Sequence, residues 1–200
     1  MPECQTNFVR CDDYQGGYIA GKHLLELGHR HFLYLPGPKY NLSQTRRYAG
    51  IMDALSEANV PASNIREIDY HTVFGSSAES TSSYKPYEEL FFPVNYTAVI
   101  GFNDLQSYSA MEILQKKGYR IPEDISLISF DHLRKTHTYL PPLTSIADNS
   151  EKSIADTAVS ILLDKIRNPS SEISSEVLPV SIFDDHTTGP INETFAHSFE

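Results

Sequence analysis

Residues 97–118 read TAVIGFNDLQSYSAMEILQKKG, and the order of side chains in this stretch decides the class of fold. Thr97–Phe102 is a continuous apolar run of strand length, the pattern of a strand covered on both faces. Asn103-Asp104 follow it, residue types that cap helices. Asp104–Lys117 then reads as a helix, and Gly118 closes it because glycine adopts positive φ without strain. A strand that turns directly into a helix is half of a βαβ unit, the connection that parallel strands require.

The same alternation extends in both directions. Upstream, Thr6–Asp12 contains a short extended run and Gly16–Leu27 a helix ending at Gly28. His31–Leu35 is a buried-type strand stopped by Pro36-Gly37-Pro38, and residues 43–59 form a helix with Tyr48, Ile51, Met52 and Leu55 on one stripe. Ile65–Tyr70 reads as a strand, and Pro86 confines any following helix to Tyr87–Phe92. Downstream, Ile125–Phe130 is a strand and residues 131–143 a loop. Ser150–Arg167 is an amphipathic helix with Ile154, Ala158, Ile161, Leu162 and Ile166 expected inward, Glu176–Phe183 is one last strand, and residues 189–200 form a loose tail. The fold class is therefore α/β, with a mainly parallel sheet and helices on both faces.

Composition narrows the function. Sixteen Lys and Arg face 26 Asp and Glu, a formal charge of −10 with a pI near 5.2. Affinity for nucleic acid is dominated by neutralising phosphates, so this chain should repel DNA. No apolar run approaches the ~20 residues that cross a bilayer, and the first residues have no export signal, so the cytoplasm is expected. The two cysteines, Cys4 and Cys11, match no zinc spacing and read as reduced thiols. No cofactor is expected.

In open α/β sheets, ligands bind beyond the carboxyl ends of the strands. Those positions are polar here: Asp12, Asp13 and Gln15; Ser43 and Arg47; Tyr70; Asn103-Asp104; Asp131-His132; Asp148. Carboxylates, amides, an Arg fork and an aromatic face make up the set that a sugar-type ligand needs. Each also has a local role open to it. Asn103 or Asp104 can cap a helix, as can Asp12 and Ser43, and Arg47 can be a solvated helix residue.

Several blocks resemble the LacI/GalR family of bacterial transcription regulators. They are Asp12-x-x-x-Gly16-Gly17-x-x-Ala20-x-x-His23-Leu24-Leu25-x-x-Gly28-His29-Arg30, Arg47-x-x-Gly50-x-x-x-Ala54-Leu55 and Ala98-Val99-x-x-x-Asn103-Asp104. Pro122–Asp131, Pro141–Ile146, Leu178-Pro179-Val180 and Thr187-Thr188 continue the series in the family's order, covering residues 6 to about 188. The resemblance implies a periplasmic-binding-protein-like fold of two hinged lobes around a small-molecule cleft. It implies a homodimer, and effector contacts at Ser43, Arg47, Tyr70, Asn103, Asp131 and Asp148. A sugar or sugar phosphate is the favoured effector and a purine the second choice. His132 stands where a second Asp is usual and Ser129 where Gly is usual.

On this reading the chain starts just before the last strand and helix of the first lobe, and the operator-reading headpiece lies outside it. Residues 1–29 are a remnant of the N-terminal lobe and 30–146 a near-complete C-terminal lobe. Residues 147–182 return to the first lobe, and 183–200 end the second. The stripes of helices 16–27 and 150–167 should then lack part of their cover. An enzyme is disfavoured: the histidines lack metal spacing, and Asp104, Asp131 and His132 have no marked nucleophile beside them. A transport-type sugar receptor is the alternative with the same fold.

Overall fold

The computed structural model describes residues 6–38, 40–68 and 87–197. Its main layer is a six-stranded sheet built from β2 (Phe32–Leu35), β3 (Ile65–Glu67), β4 (Ala98–Gly101), β5 (Ser126–Phe130), β6 (Ser145–Asp148) and β8 (Val180–Phe183), in the order β3-β2-β4-β5-β6-β8. Five strands run parallel and β8 runs antiparallel along β6. A separate pair, β1 (Phe8–Cys11) and β7 (Ser175–Leu178), is also parallel.

Alternation along the strands feeds two cores. Phe32, Tyr34, Ile100, Ile128 and Phe130 point to helices α1 (Asp13–Glu26) and α2 (Leu42–Glu57), where they meet Ala20, Leu24, Ile51 and Leu55. Leu33, Leu35, Val99 and Leu127 point the other way, to Ala110, Met111 and Leu114 of α3 (Asp104–Lys116). Both faces of the sheet are thus covered, which is why its strands are apolar without alternation.

Helix α1 packs closely on α2, and two glycines permit it. A Cβ on Gly17 would lie 1.9 Å from the Arg47 carbonyl oxygen, and one on Gly50 2.1 Å from that of Tyr14. The Tyr14 and Tyr18 hydroxyls donate across the same interface to Asp53 and Glu57, at 2.7 and 2.6 Å. The expectation that helix 16–27 lacks cover is therefore corrected: Ala20, Leu24 and Leu25 are buried against α2 and the large sheet. The helix also starts earlier than expected, because Asp12 caps it through the Gln15 amide.

Other boundaries move for local reasons. Ser153 and Asp156 form a capping box, so the later helix is α4 (Ile154–Arg167) and residues 150–153 lie outside it. The expected strand 176–183 divides at Pro179, which has no amide hydrogen to donate: β7 pairs with β1 and β8 with β6. Residues Tyr87–Phe91 form a short 3-10 turn. The tail carries a short helix, α5 (Glu193–Ala196), and the Phe195 ring meets Tyr119 edge-on. The stripe of α4, by contrast, lacks cover as expected: Leu162 and Ile166 are 59% and 65% exposed, and Thr157 is the residue the helix buries.

One buried histidine fastens the end of the sheet opposite the site. His29 Nε2 lies 3.0 Å from the Gly189 carbonyl, which can only accept, so Nε2 carries the hydrogen and Nδ1 accepts from the Thr97 hydroxyl at 2.9 Å. Ser126 Oγ lies 2.9 Å from the same Nε2. Burial lowers the imidazole pKa to about 4, so the ring is neutral near pH 7.

Candidate functional site

Beyond the carboxyl ends of β1, β5 and β6 lies a cavity of about 400 Å³. Arg47, one turn into α2, lines it with a side chain that is 11% exposed. Nε donates to Asp13 Oδ1 at 2.9 Å, Nη1 to the Phe102 carbonyl at 2.6 Å and Nη2 to Asp131 Oδ1 at 3.3 Å. Its guanidinium carbon also lies 4.5 Å from the centroid of Phe130 and 5.1 Å from that of Phe102. Rings above a guanidinium and carboxylates at its edge hold it in one orientation.

Asp131 follows β5 directly with φ at +97°, a left-handed conformation that a non-glycine residue adopts only when its surroundings impose it. The imposing contacts are visible. Its amide donates to the Ile146 carbonyl at 3.0 Å, and the next amide, of His132, donates to Ser145 Oγ at 3.0 Å. Buried Asp104 completes the support: it accepts from the Leu133 amide at 2.7 Å and from Ser145 Oγ at 2.8 Å. Partial desolvation beside the cavity raises the Asp131 carboxyl from its ordinary value, with Arg47 pulling it back down. Burial likewise raises Asp104.

Three of the six expected contacts, Arg47, Asp131 and Asp148, line this one cavity. Asp148 ends β6 and accepts from the amide and hydroxyl of Ser150, the former at 2.8 Å. Ser43 lies one turn before Arg47 on α2, half-buried, and is not the cap of that helix, a part taken by Asn41. Asn103 caps α3, its side-chain oxygen accepting from the Gln106 amide at 3.0 Å. Tyr70 falls outside the described residues. His132 does not reach the cavity, for its ring stacks on Phe183 at 4.3 Å between centroids.

Sequence reasoning missed four contributors. Asp13 stood among the polar residues after β1, but only the fold shows it 5% exposed against Arg47. Phe130 and Lys135 also line the cavity, while Phe102 packs against Arg47. An aromatic residue at a strand end looks like core, and a Lys on a turn looks solvated, so neither gave a signal. Among the described residues no group of His, Cys, Asp and Glu is placed to hold a metal ion.

The arrangement suits binding: one fixed guanidinium, several carboxylates and an aromatic wall around a space the size of a small molecule. A family model described as a periplasmic binding protein-like domain matches residues 22–188. The HTH-type transcriptional repressor PurR of Escherichia coli is 35% identical over 178 residues, which are 87% of this chain and 50% of that protein. The chain spans about half the length of the curated relatives it matches. A LacI family transcriptional regulator from Enterococcus faecium, solved with bound ribose, superposes with a TM-score of 0.77 at 27% identity, over 96% of this chain and 68% of that one. The dimeric Lac repressor superposes with a TM-score of 0.74 at 25% identity, over 96% and 67%. This chain belongs to the periplasmic binding protein-like domain family, as an effector-binding domain of the LacI/GalR type.

Proposed function

We propose that the chain is the effector-binding and subunit-pairing part of a cytoplasmic transcription repressor, and that a sugar-like molecule seats among Ser43, Arg47, Asp131 and Asp148. The observation that carries this reading is the convergence of Arg47 and Asp131, 84 residues apart in sequence, on one cavity with Asp148. The ribose held by the Enterococcus faecium regulator supports a sugar, and the dimeric Lac repressor supports pairing of two copies. Operator contact is left to a helix-turn-helix segment of the kind PurR is named for, in keeping with the net charge of −10 on this part. In the whole regulator the effector acts by its difference in affinity for two lobe orientations. The relatives found are regulators, which favours this reading over a transport receptor.

In this reading 1–29 and 147–182 belong to one lobe, and 30–146 with 183–200 to the other, with two adjustments. The packing of α1 on α2 supports moving that helix to the second lobe, and the pairing of β8 with β6 supports moving β8 with it. The crossings then fall near Asp12, residues 149–153 and Pro179. This reading gives catalysis no part, in keeping with relatives that are transcription regulators. The thiol of Cys11 in the cavity is raised by burial and by nearby Asp148 and Asp13, the reverse of what a nucleophilic thiol needs.

A thermal-shift screen of sugars, sugar phosphates and purines tests the reading. A ligand at 100 times its Kd adds about 2.7 kcal/mol to stability, or several degrees in Tm. The shift should disappear in Arg47→Lys and Asp131→Asn. A shift that survives both substitutions overturns the site.

A further inference from the structure

Resting on the site proposed above, we infer that the cleft takes an uncharged or amine-bearing polyhydroxy molecule and turns away phosphorylated or carboxylated ones. The lining that this chain contributes carries four carboxylates, Asp12, Asp13, Asp131 and Asp148, against two cations, Arg47 and Lys135. Arg47 is already committed. Two carboxylates and a backbone carbonyl take three of its five N–H groups, and Asp13 and Asp131 already balance its charge, so a phosphate competes with two carboxylates for the guanidinium. Lys135 is exposed on a turn, where water screens its charge.

The backbone offers an anion no better reception. Helix N-termini are the usual anion sites, and two meet this cavity. That of α1 is occupied by Asp12, which accepts from the Gln15 amide, and by Asp13 in its first turn. That of α4 is closed by Ser153 and Asp156, which satisfy each other's amides. The Cys11 thiol reports the resulting field. Beyond the effect of burial, Asp148, Asp13 and Asp131 raise it, against the single opposing pull of Arg47. Hydroxyls fit the same surroundings well, since each can donate to a carboxylate, and Asp131 keeps 43% of its side chain exposed to receive one.

Titration calorimetry on the full chain tests this with matched pairs: D-ribose with ribose 5-phosphate, and D-glucose with glucose 6-phosphate, glucuronate and glucosamine. In any pair that binds, the neutral or amine-bearing member should be tighter by at least about tenfold at low salt, with the gap narrowing at higher salt. Asp13→Asn, and separately Asp148→Asn, should each narrow it too, so that one variant suffices if the other folds poorly. A phosphate ester that binds as tightly as its parent sugar overturns the inference and leaves the effector reading standing. Failure of every sugar and derivative to bind removes both.

Discussion

Asp13 and Arg47, 34 residues apart, are joined at 2.9 Å with side chains 5% and 11% exposed, and this pair ties the first turn of α1 to α2 at the floor of the cavity. It couples stability to the candidate site. The guanidinium that a ligand would meet is also what keeps a buried carboxylate paired.

Removing the guanidinium should therefore cost more than removing its partner. Arg47→Ala leaves Asp13 buried without its cation, a loss of about 3 kcal/mol. Asp13→Asn leaves Arg47 with Asp131 and the Phe102 carbonyl, and should cost about 1 kcal/mol. Urea unfolding of both variants and the double variant checks this. Equal losses would show that the pair is not what holds the floor.

Gly50 sits in mid-helix, where alanine normally stabilises by about 1 kcal/mol. Here the added Cβ would lie 2.1 Å from the Tyr14 carbonyl oxygen and 2.6 Å from the Tyr18 amide nitrogen. Backbone cannot swing aside like a side chain, so α1 must move off α2. Gly50→Ala should destabilise by about 1–3 kcal/mol, read as a lowered Tm. An unchanged or raised Tm would show that the helices are not this close.

Stability should also fall on acidification through His29. Its ring takes a proton near pH 6.5 when unfolded and only near pH 4 when folded. The unfolded chain binds more protons between those values. The contribution is complete above pH 6.5 and declines as pH falls toward 4, by about 3 kcal/mol in all. The raised carboxyls of Asp104 and Asp131 act in the opposite sense, so the comparison that matters is with His29→Gln. Urea midpoints at pH 7 and pH 5 should converge for the two proteins as pH drops. A constant difference would mean that His29 does not titrate in this range.

The exposed stripe of α4 carries a prediction for the chain as it stands. Val159, Leu162, Leu163 and Ile166 lie open to water, as do Phe8, Ile173 and Val177 in and next to the small sheet. Each large side chain so placed forgoes ~1.5–3 kcal/mol of burial. Sedimentation should show association that grows with concentration, and Leu162→Glu with Ile166→Glu should suppress it. A wild-type chain that stays monomeric at high concentration would contradict this.

Much of the fold was legible because periodicity and cover agree. The unalternated runs at Phe32–Leu35, Ala98–Gly101 and Ser126–Phe130 have both faces buried, so their apolar pattern signalled a central parallel sheet. What the pattern could not report was which partner covers a face. The stripes of α1 and α4 look equally apolar in sequence, yet one is buried on α2 and the other faces water. The same limit applies at the site. Arg47 and Asp131 were legible as polar residues after strands, but so was Asn103, whose side chain is engaged in capping α3. Asp13 could not be separated from Asp12 until the turn of α1 sent one to the helix cap and the other to Arg47.

Cys11 offers the most direct measurement, because it lines the same cavity as Arg47, Asp131 and Asp148. In a Cys4→Ser chain it is the sole thiol, and its alkylation rate can be followed with and without a saturating ligand. Occupation of the cleft should slow the reaction by roughly tenfold or more, in line with burial of most of a ligand's surface and its surroundings. Asp131→Asn at the same ligand concentration should lose that protection. An unchanged rate for a ligand that demonstrably binds would place the ligand elsewhere and contradict the site.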